Sequence, residues 1–387
     1  MADDLILDDP TGLEAADDRG LLRSAADAGA QVRRALDPAL APALDRVAAD
    51  GRPRALVVLA GGAADGTAEA LDALLSPRSP VPVHVRDDDR LPGWAGALDL
   101  VVVLDGPYPA VAAAAAEAAR RGCRLVTVAR PRSSLSDLAT QAGAPALELP
   151  APTATPPGAA AAGLRRAPGY WGGIVATLRV AVAADLADGE GLDGLADALD
   201  EIALACGTGV PLGESPAKGL GLSLAESLPG LWATTPLAGA AAARMAERLA
   251  HAAAIPAAVV PVGRPGAERA AALMAGPAAA ATDLDDLFRD RVEEPEADVR
   301  LRLVLLRDTD DAEDRAGTGL AVVRPVVDIA EARGVPVSEL RAESGDALLR
   351  LAALVGTGDW AVAYAALSGG RDPDALARQV RARLASG

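Results

Sequence analysis

This sequence is poor in two of the side chains that most often move a proton or hold a phosphate, lysine and histidine. It has a single lysine, Lys218, two histidines and no asparagine, and arginine supplies every other basic residue. A lysine kept among arginines suggests a role that needs a compact ammonium rather than a planar guanidinium. His251 lies four residues after Glu247 in a predicted helix, so the two share a face and could pass a proton near neutral pH. Lys218 and His251 are therefore the candidate catalytic residues; the alternatives are a solvated lysine and an ordinary surface pair.

A glycine-rich stretch at residues 61–67, GGAADGT, follows a predicted strand and opens a predicted helix. Glycines there let backbone amides approach an anion, and the helix dipole adds positive potential. Gly61, Gly62 and Thr67 are therefore candidate substrate-binding residues, with a tight strand-to-helix turn as the alternative. The stretch lacks the Gly-Lys-Ser/Thr of a nucleotide-binding loop and the third glycine of a dinucleotide fingerprint, and we expect no cofactor.

Two further stretches follow predicted strands. Residues 105–108, DGPY, offer a carboxylate and a phenol, whereas a phosphate pocket favours serine and threonine hydroxyls. Ser133 and Ser134, which follow two arginines in the sequence, could hold an anion instead. The alternative for this second stretch is an ordinary solvated surface.

The composition excludes several classes of function. The chain has 387 residues and a net charge of −17, so it has no basic surface for nucleic acid or an anionic membrane. Cys123 and Cys206 lie far apart without metal-ligand spacing, so we expect buried thiols in a reducing compartment and no metal site. The N-terminus is acidic, unlike a secretory signal, and no apolar stretch is long enough to cross a bilayer. These features predict a cytoplasmic protein.

Strand and helix patterns alternate along the chain. In the first half we predict strands at residues 55–60, 81–85, 98–104 and 124–129, with alanine-rich helices between them. The third of these, LDLVVVL, is nearly all apolar, as expected for a strand buried on both faces of a parallel sheet. The second half repeats the pattern, with strands within 228–235, at 255–262 and at 300–307. The sequence therefore predicts an α/β fold of two doubly wound parallel sheets with extra helices, whose binding sites lie at the carboxyl ends of the strands.

Breaker residues mark a division of the chain. The stretch PAPTATPP at residues 150–157 has four prolines and interrupts the alternating pattern. We predict an N-terminal helical segment at 1–50, a first domain at 51–149, a linker at 150–168 and a second domain with C-terminal helices at 169–387.

Several short motifs resemble those of one known family. They are SPAK at 215–218, Arg244 in a helix that leads to IPA at 255–257, GDWAVAY at 358–364, and RRAPGY at 165–170, which contains Arg166. They are similar to segments of the bifunctional phosphoglucose/phosphomannose isomerases of the sugar isomerase (SIS) superfamily. The resemblance implies two SIS domains, a homodimer with sites between subunits, and interconversion of aldose and ketose phosphates. It also implies that Arg166 and Arg244 contact the substrate.

The chain departs from the family where the chemistry takes place. The serine of the family's Gly-Gly-Ser turn is Ala63 here, and the phosphate loop aligns with residues 104–109, which contain no serine or threonine. His251 stands in the segment that holds the family's glutamate base, and no histidine follows it. Losing a general base typically costs ~10²–10⁴-fold in rate, and losing phosphate donors removes binding energy as well.

Three hypotheses follow. The first is a divergent SIS protein that binds a sugar phosphate in hexose or mannose phosphate metabolism, with isomerase activity weak or lost. The second is an active isomerase of glucose 6-phosphate or mannose 6-phosphate, in which Lys218 and Arg166 stabilise the enediolate or phosphate and His251 moves the proton. The third is an interaction scaffold that binds no sugar phosphate and docks through its acidic surface.

Overall fold

The computed structural model describes most of the chain. The described residues are 4–61, 66–88, 90–106, 109–150, 169–260, 264–276, 300–308, 320–342 and 345–371, together with 373, 379 and 383. Gly62, Arg166 and all but the first residue of the predicted linker lie outside them.

The described strands include three that the sequence patterns place closely and two that they miss. The strands are β1 (Leu56–Leu59), β2 (Val83–Arg86), β3 (Leu100–Leu104), β4 (Arg124–Ala129), β5 (Ala146–Glu148), β6 (Ser227–Ala233), β7 (Ala258–Val260), β8 (Arg300–Arg307) and β9 (Val337–Arg341). β1, β4 and β8 match their predicted positions within one residue at each end. β5 and β9 were not predicted, because β5 is only three residues long and β9 has a mixed sequence without clear alternation.

Helices connect the strands and form the N-terminal segment. Before β1 the helices are α1 (Pro10–Ala16), α2 (Leu21–Ala26), α3 (Ala28–Ala35) and α4 (Ala41–Ala49). Between β1 and β6 they are α5 (Thr67–Leu75), α6 (Pro109–Arg120), α7 (Ser134–Ala142), α8 (Tyr170–Ala183), α9 (Leu192–Cys206) and α10 (Lys218–Ala225). The remaining helices are α11 (Pro236–Arg248), α12 (Arg264–Met274), α13 (Leu320–Ala332) and α14 (Ala347–Gly369).

The strands form two parallel sheets with the same topology. The first has the order β2-β1-β3-β4-β5 and the second β7-β6-β8-β9, and every described pairing is parallel. In each sheet the first strand in sequence lies between the second and the third, which is the flavodoxin-like doubly wound order. The predicted fold class is therefore confirmed.

The chain divides into two compact units, each built around one sheet. The five-stranded unit comprises Asp17–Leu204 and Gly345–Ala352, and the four-stranded unit comprises Met1–Ala16, Ala205–Ser344 and Ala353–Gly387. Both units therefore draw on segments that are distant in sequence. The predicted boundary at residues 150–168 stays a prediction.

Burial explains why apolar strands occupy the centre of each sheet. Every residue of β1 and β3 is buried, because helices cover both faces of a doubly wound sheet. On one face of the five-stranded sheet, Val57, Val101 and Leu125 pack against α6 and α7. α8 is buried on nearly every side and packs against α3, α4 and α5. In the four-stranded unit, β6 and β8 pack against α12 and α13.

Two segments differ in kind from what their sequence predicts. The stretch SPAKG at residues 215–219 predicts an irregular segment, but α10 begins at Lys218, since burial of its apolar side overrides the low helix propensity of its glycines. The tail predicts separate helices at 346–355 and 360–367, yet α14 runs unbroken from Ala347 to Gly369. By length and composition α14 could cross a membrane, but 83% of its most apolar window is buried, as in the core helix of a globular protein.

Candidate functional site

Each sheet has one place where its topology favours a ligand. In a doubly wound sheet, ligands bind outside the carboxyl ends of the two neighbouring strands from which the chain proceeds in opposite directions. These strands are β1 and β3 in the five-stranded unit, and β6 and β8 in the four-stranded unit.

In the five-stranded unit, Thr67 is the predicted site residue that lies deepest. Gly61 forms the turn directly after β1, and α5 begins at Thr67 after Gly66, whose φ of 74° is readily adopted only by glycine. Thr67 is 1% exposed, and its Oγ1 atom has no hydrogen-bond partner. The amino end of α5 therefore brings a buried hydroxyl and the positive end of a helix dipole to this edge.

A buried carboxylate occupies the neighbouring strand end. Asp105, the residue after β3, is 3% exposed. Its carboxylate accepts hydrogen bonds from the backbone N–H of Gly106 at 2.9 Å and of Arg130 at 3.2 Å, and the Arg130 Nε lies 3.3 Å away. The negative charge at this strand end is therefore largely offset by donors of the chain itself. Tyr108, in the same predicted loop, lies outside the described residues.

The two predicted serines lie at the start of a helix. The Ser133 side chain accepts a hydrogen bond from the backbone N–H of Ser136 at 3.2 Å, which makes Ser133 the N-cap of α7. Ser134 is the first residue of α7 and is exposed. Arg132 precedes them with a left-handed φ of 59°. The structure thus places both serines at the carboxyl end of β4, next to Arg130.

In the four-stranded unit, the carboxyl edge holds a pair that the sequence patterns did not single out. The Thr235 side chain caps α11 by accepting from the Ala238 N–H at 3.1 Å, and its hydroxyl donates to Asp308 Oδ1. Asp308 follows β8 and is 2% exposed. The signals in the sequence were a Thr-Thr-Pro stretch after a strand and an aspartate directly after an apolar run.

The two buried aspartates occupy equivalent positions. Asp105 follows the third strand of its sheet and Asp308 follows the third strand of the other. Each unit therefore carries a buried carboxylate at its switch point. A carboxylate repels a phosphate but can accept hydrogen bonds from sugar hydroxyls.

Lys218 is held by backbone carbonyls. Its side chain is 0% exposed, and Nζ donates to Leu7 O at 2.5 Å, Thr208 O at 2.9 Å and Val210 O at 2.5 Å. The ring of Tyr364 lies 5.6 Å from Nζ. An ammonium has three N–H groups, so all three are occupied. Burial lowers the pKa of Lys218, and the nearby Asp8 opposes this shift. A catalytic role would require Lys218 to release at least one carbonyl.

His251 lies far from the switch point of its own unit. It is exposed in a π-helical turn, Leu249–Ala253, which ends α11 and is followed by Ala254 with a φ of 53°. Thr235 caps the opposite end of the same helix. The 16-residue separation corresponds to roughly 24 Å along the helix axis. The structure therefore does not bring His251 to the carboxyl edge of the four-stranded sheet.

Arg244 pairs with a carboxylate. Its Nε lies 3.1 and 3.3 Å from the two Asp359 oxygens, and Nη2 lies 2.6 Å from Oδ2. The Nε of Arg248 lies 3.8 Å from Asp359 Oδ1. Both arginines are buried, so this cluster links α11 to α14 inside the four-stranded unit. The paired carboxylate neutralises part of the charge that a substrate would meet at Arg244.

Two cavities of the five-stranded unit lie at its amino edge. The first, of about 410 Å³, is lined by the ends of α5 and α8, with the ion pairs Arg52–Asp185 and Arg78–Glu190 at its rim. The second, of about 420 Å³, lies at the amino ends of β3 and β4 and is lined in part by Cys123. Neither lies at the switch point.

The cysteines are unsuited to nucleophilic chemistry. Both are buried and unpaired, as predicted. Burial raises the pKa of Cys206 to about 12 and also raises the pKa of Cys123, so both are thiols at neutral pH. Among the described residues, no group of three or more His, Cys, Asp and Glu is placed to hold a metal ion.

Comparison with known proteins agrees with the fold and the motifs. Residues 213–378 match the model of the bacterial phospho-glucose isomerase C-terminal SIS domain. No curated protein matches the chain. A hypothetical protein from Thermus thermophilus is 15% identical with a TM-score of 0.60, over 98% of this chain and 94% of that protein.

Two further solved structures share the fold. A candidate phosphosugar isomerase from Silicibacter pomeroyi is 20% identical with a TM-score of 0.59, over 92% of this chain and 99% of that one. The C-terminal domain of glucosamine-fructose-6-phosphate aminotransferase from Francisella tularensis is 12% identical with a TM-score of 0.54, over 91% and 96%. Residues 213–378 are therefore similar to a bacterial phosphoglucose isomerase C-terminal SIS domain, and the chain shares its fold with these solved structures.

Proposed function

We propose that this protein binds a sugar phosphate at the carboxyl edge of the five-stranded sheet and that its isomerase activity is weak or lost. The similarity of residues 213–378 to an SIS domain and the unpartnered hydroxyl of Thr67 at the amino end of α5 support binding. The proposal that activity is weak or lost rests on one observation: neither candidate catalytic residue lies at the switch point of its own unit. Lys218 is occupied by three carbonyls, and His251 lies at the far end of α11.

The geometry also bears on which part of the ligand is recognised. Asp105 takes the place where the family has hydroxyl donors, so a phosphate is disfavoured directly beside β3. The amino end of α5 keeps a helix dipole and a hydroxyl, and these suit an anion. We therefore place the phosphate nearer to β1 than to β3.

The test pairs a binding measurement with a turnover measurement. Purified protein is titrated calorimetrically with glucose 6-phosphate, mannose 6-phosphate and fructose 6-phosphate, and with glucose as the uncharged control. The same sugar phosphates are then followed in a coupled isomerase assay. We expect binding of at least one sugar phosphate, no comparable binding of glucose, and little or no turnover. Turnover at ordinary enzyme rates would refute the proposal of weak or lost activity. If none of the sugar phosphates binds, the proposal that the protein binds a sugar phosphate is refuted.

One observation favours an active enzyme as the second candidate. The π-helical turn holds His251 exposed at a special backbone geometry, and such turns are frequent at functional sites. If turnover is found, His251→Ala should abolish it. An unchanged rate in that variant would remove His251 from the mechanism.

We also propose, from the motifs that resemble the phosphoglucose/phosphomannose isomerases, that the protein is a cytoplasmic homodimer. Light scattering coupled to size-exclusion chromatography measures the mass directly, and one chain has 38.8 kDa. A mass of one chain at working concentration would contradict the dimer.

A further inference from the structure

The buried donors of the five-stranded unit that lack a hydrogen-bond partner include two in the first turn of a helix. One is the Thr67 hydroxyl of α5. The other is the Nε1–H of Trp171, the second residue of α8, whose side chain is 2% exposed. Native structures keep few buried polar groups without a partner. Such groups mark places where a ligand can accept the bond.

The two helices run side by side in the same direction. α5 packs against α8, and residues near the end of both, Leu75 and Val182, line the same cavity at the amino edge of the sheet. Along the axis of α5, Thr67 lies about 12 Å from Leu75 toward the amino end. Along the axis of α8, Trp171 lies about 16 Å from Val182 in the same direction. The amino ends of both helices therefore lie toward the carboxyl edge, where Gly61 follows β1.

This arrangement concentrates positive potential. Parallel neighbouring helices place the positive ends of their dipoles together, which is unfavourable unless an anion or an acidic cap offsets it. The N-cap residues are Gly66 and Gly169, and neither contributes a side-chain cap. Gly66 has a φ of 74° and Gly169 a φ of 87°, and glycine adopts such positive φ angles more readily than other residues do.

The donors narrow the class of ligand. An indole N–H can only donate, so its partner must be an acceptor, which excludes an ammonium group. Both donors are uncharged, and the chain is strongly acidic as a whole. A phosphate monoester offers three accepting oxygens and a negative charge, and so suits both donors and both helix ends.

We propose that Thr67 Oγ1 and Trp171 Nε1 donate hydrogen bonds to the phosphate of a sugar phosphate held between the amino ends of α5 and α8. This inference rests on the proposed function and names the side chains that hold the ligand. Neither residue is among the family motifs from which the sequence resemblance was drawn.

The chain supplies a matched control for the test. Thr127 Oγ1 in β4 is also fully buried without a partner, but Thr127 alternates with Leu125 and Ala129 on the face that packs against α6 and α7. Thr67→Val, Thr127→Val and Trp171→Phe each remove one such polar atom and keep most of the shape. Thermal melting of each variant without ligand checks that it folds.

Calorimetry then measures the dissociation constants of fructose 6-phosphate, inorganic phosphate and fructose. We expect Thr67→Val and Trp171→Phe each to raise the fructose 6-phosphate constant about tenfold or more. Thr127→Val should leave it unchanged. If Trp171→Phe fails to fold, the proposal is decided by comparing the fructose 6-phosphate dissociation constants of the two isosteric variants, Thr67→Val and Thr127→Val.

The outcomes separate this inference from the proposed function. If the wild-type protein binds fructose 6-phosphate and both site variants bind as well as Thr127→Val, the assignment of the donors is overturned and the proposed function stands. If the wild-type protein binds neither fructose 6-phosphate nor phosphate, both are overturned. Equally tight binding of fructose and fructose 6-phosphate would overturn the role of the phosphate.

Discussion

Replacing Lys218 should destabilise the four-stranded unit without any ligand being involved. Its ammonium joins the N-terminal turn at Leu7 to the loop after α9 at Thr208 and Val210. Lys218→Met keeps the length of the side chain and removes all three hydrogen bonds. Lys218→Arg keeps the charge but offers a planar fork, which cannot point three donors at three converging carbonyls.

The magnitude follows from the geometry. Hydrogen bonds from charged donors contribute about 1.5–3 kcal/mol each, and the cost of burying the ammonium offsets part of their sum. Lys218→Met leaves three carbonyl oxygens without their donor, and each buried unsatisfied group costs about 1–3 kcal/mol, so we expect a loss of about 3–5 kcal/mol after the regained cost of burying the charge is subtracted. For Lys218→Arg we expect about 2 kcal/mol or more, since a larger group must also fit a fully buried place.

Denaturant unfolding measures these losses, with Arg269→Met as the control. Arg269 is exposed on α12 of the same unit, and such surface changes usually stay within about 0.5 kcal/mol. A second readout uses the single lysine of the chain. An amine-reactive reagent should label the N-terminus quickly and Lys218 only after local opening, as resolved by mass spectrometry of the peptides.

If Lys218→Met loses no more stability than Arg269→Met, the three hydrogen bonds do not stabilise this unit. If Lys218→Arg unfolds like the wild-type protein, a guanidinium serves as well as an ammonium, which contradicts the need for lysine. Rapid labelling of Lys218 in the native protein would show that the side chain is accessible.

Three further predictions concern charge and packing. Burial acts to raise the pKa of Asp99, but hydrogen bonds from Arg54 and a backbone N–H outweigh it and lower the pKa below its ordinary 3.8. Its stabilising contribution is therefore present above pH 3.8 and lost as pH falls through the folded-state pKa, so Asp99→Asn should flatten the acid side of a stability–pH profile. Asp105→Ser should tighten fructose 6-phosphate binding about tenfold, or roughly 1.4 kcal/mol, by replacing a repelling charge with a donor, and calorimetry showing weaker binding would contradict this. Gly221→Ala should cost about 1–3 kcal/mol in denaturant unfolding, because a Cβ there would lie 2.7 Å from Tyr364 Cβ; a neutral effect would mean that α10 can shift away from α14.

The strand pattern was predictable because it depends on local composition. β3 is a run of Leu and Val, and β8 contains the run LVLL between arginines, as expected for strands inside a sheet that helices cover on both faces. Strands with mixed sequences, such as β9, depend on a neighbour to pair with, and so they left little local signal. α10 was missed for a related reason, since packing against α14 and not propensity forms it.

The candidate site was predictable only in outline. Gly61 and Thr67 were selected because a glycine-rich stretch after a strand precedes a helix, and the structure places them at the switch point. Asp308 and Trp171 are not selected by the sequence, because an aspartate directly after an apolar run and a tryptophan at the start of an apolar helix do not by themselves indicate a site. What distinguishes these two side chains is that they are buried, and whether each has a hydrogen-bond partner. Both properties depend on residues that lie far away in the chain.

The amino-acid sequence by itself determined the class of fold and the order of its elements, because apolar periodicity and helix caps act over a few residues. Only the tertiary structure decided what the rare side chains do. Lys218 attracts attention in the sequence as a candidate catalyst, yet carbonyls from positions 7, 208 and 210 surround it. The physical reason is that a hydrogen bond or a buried charge depends on distances of a few ångströms, and folding sets those distances between residues that lie far apart in the chain, as Leu7 and Lys218 do.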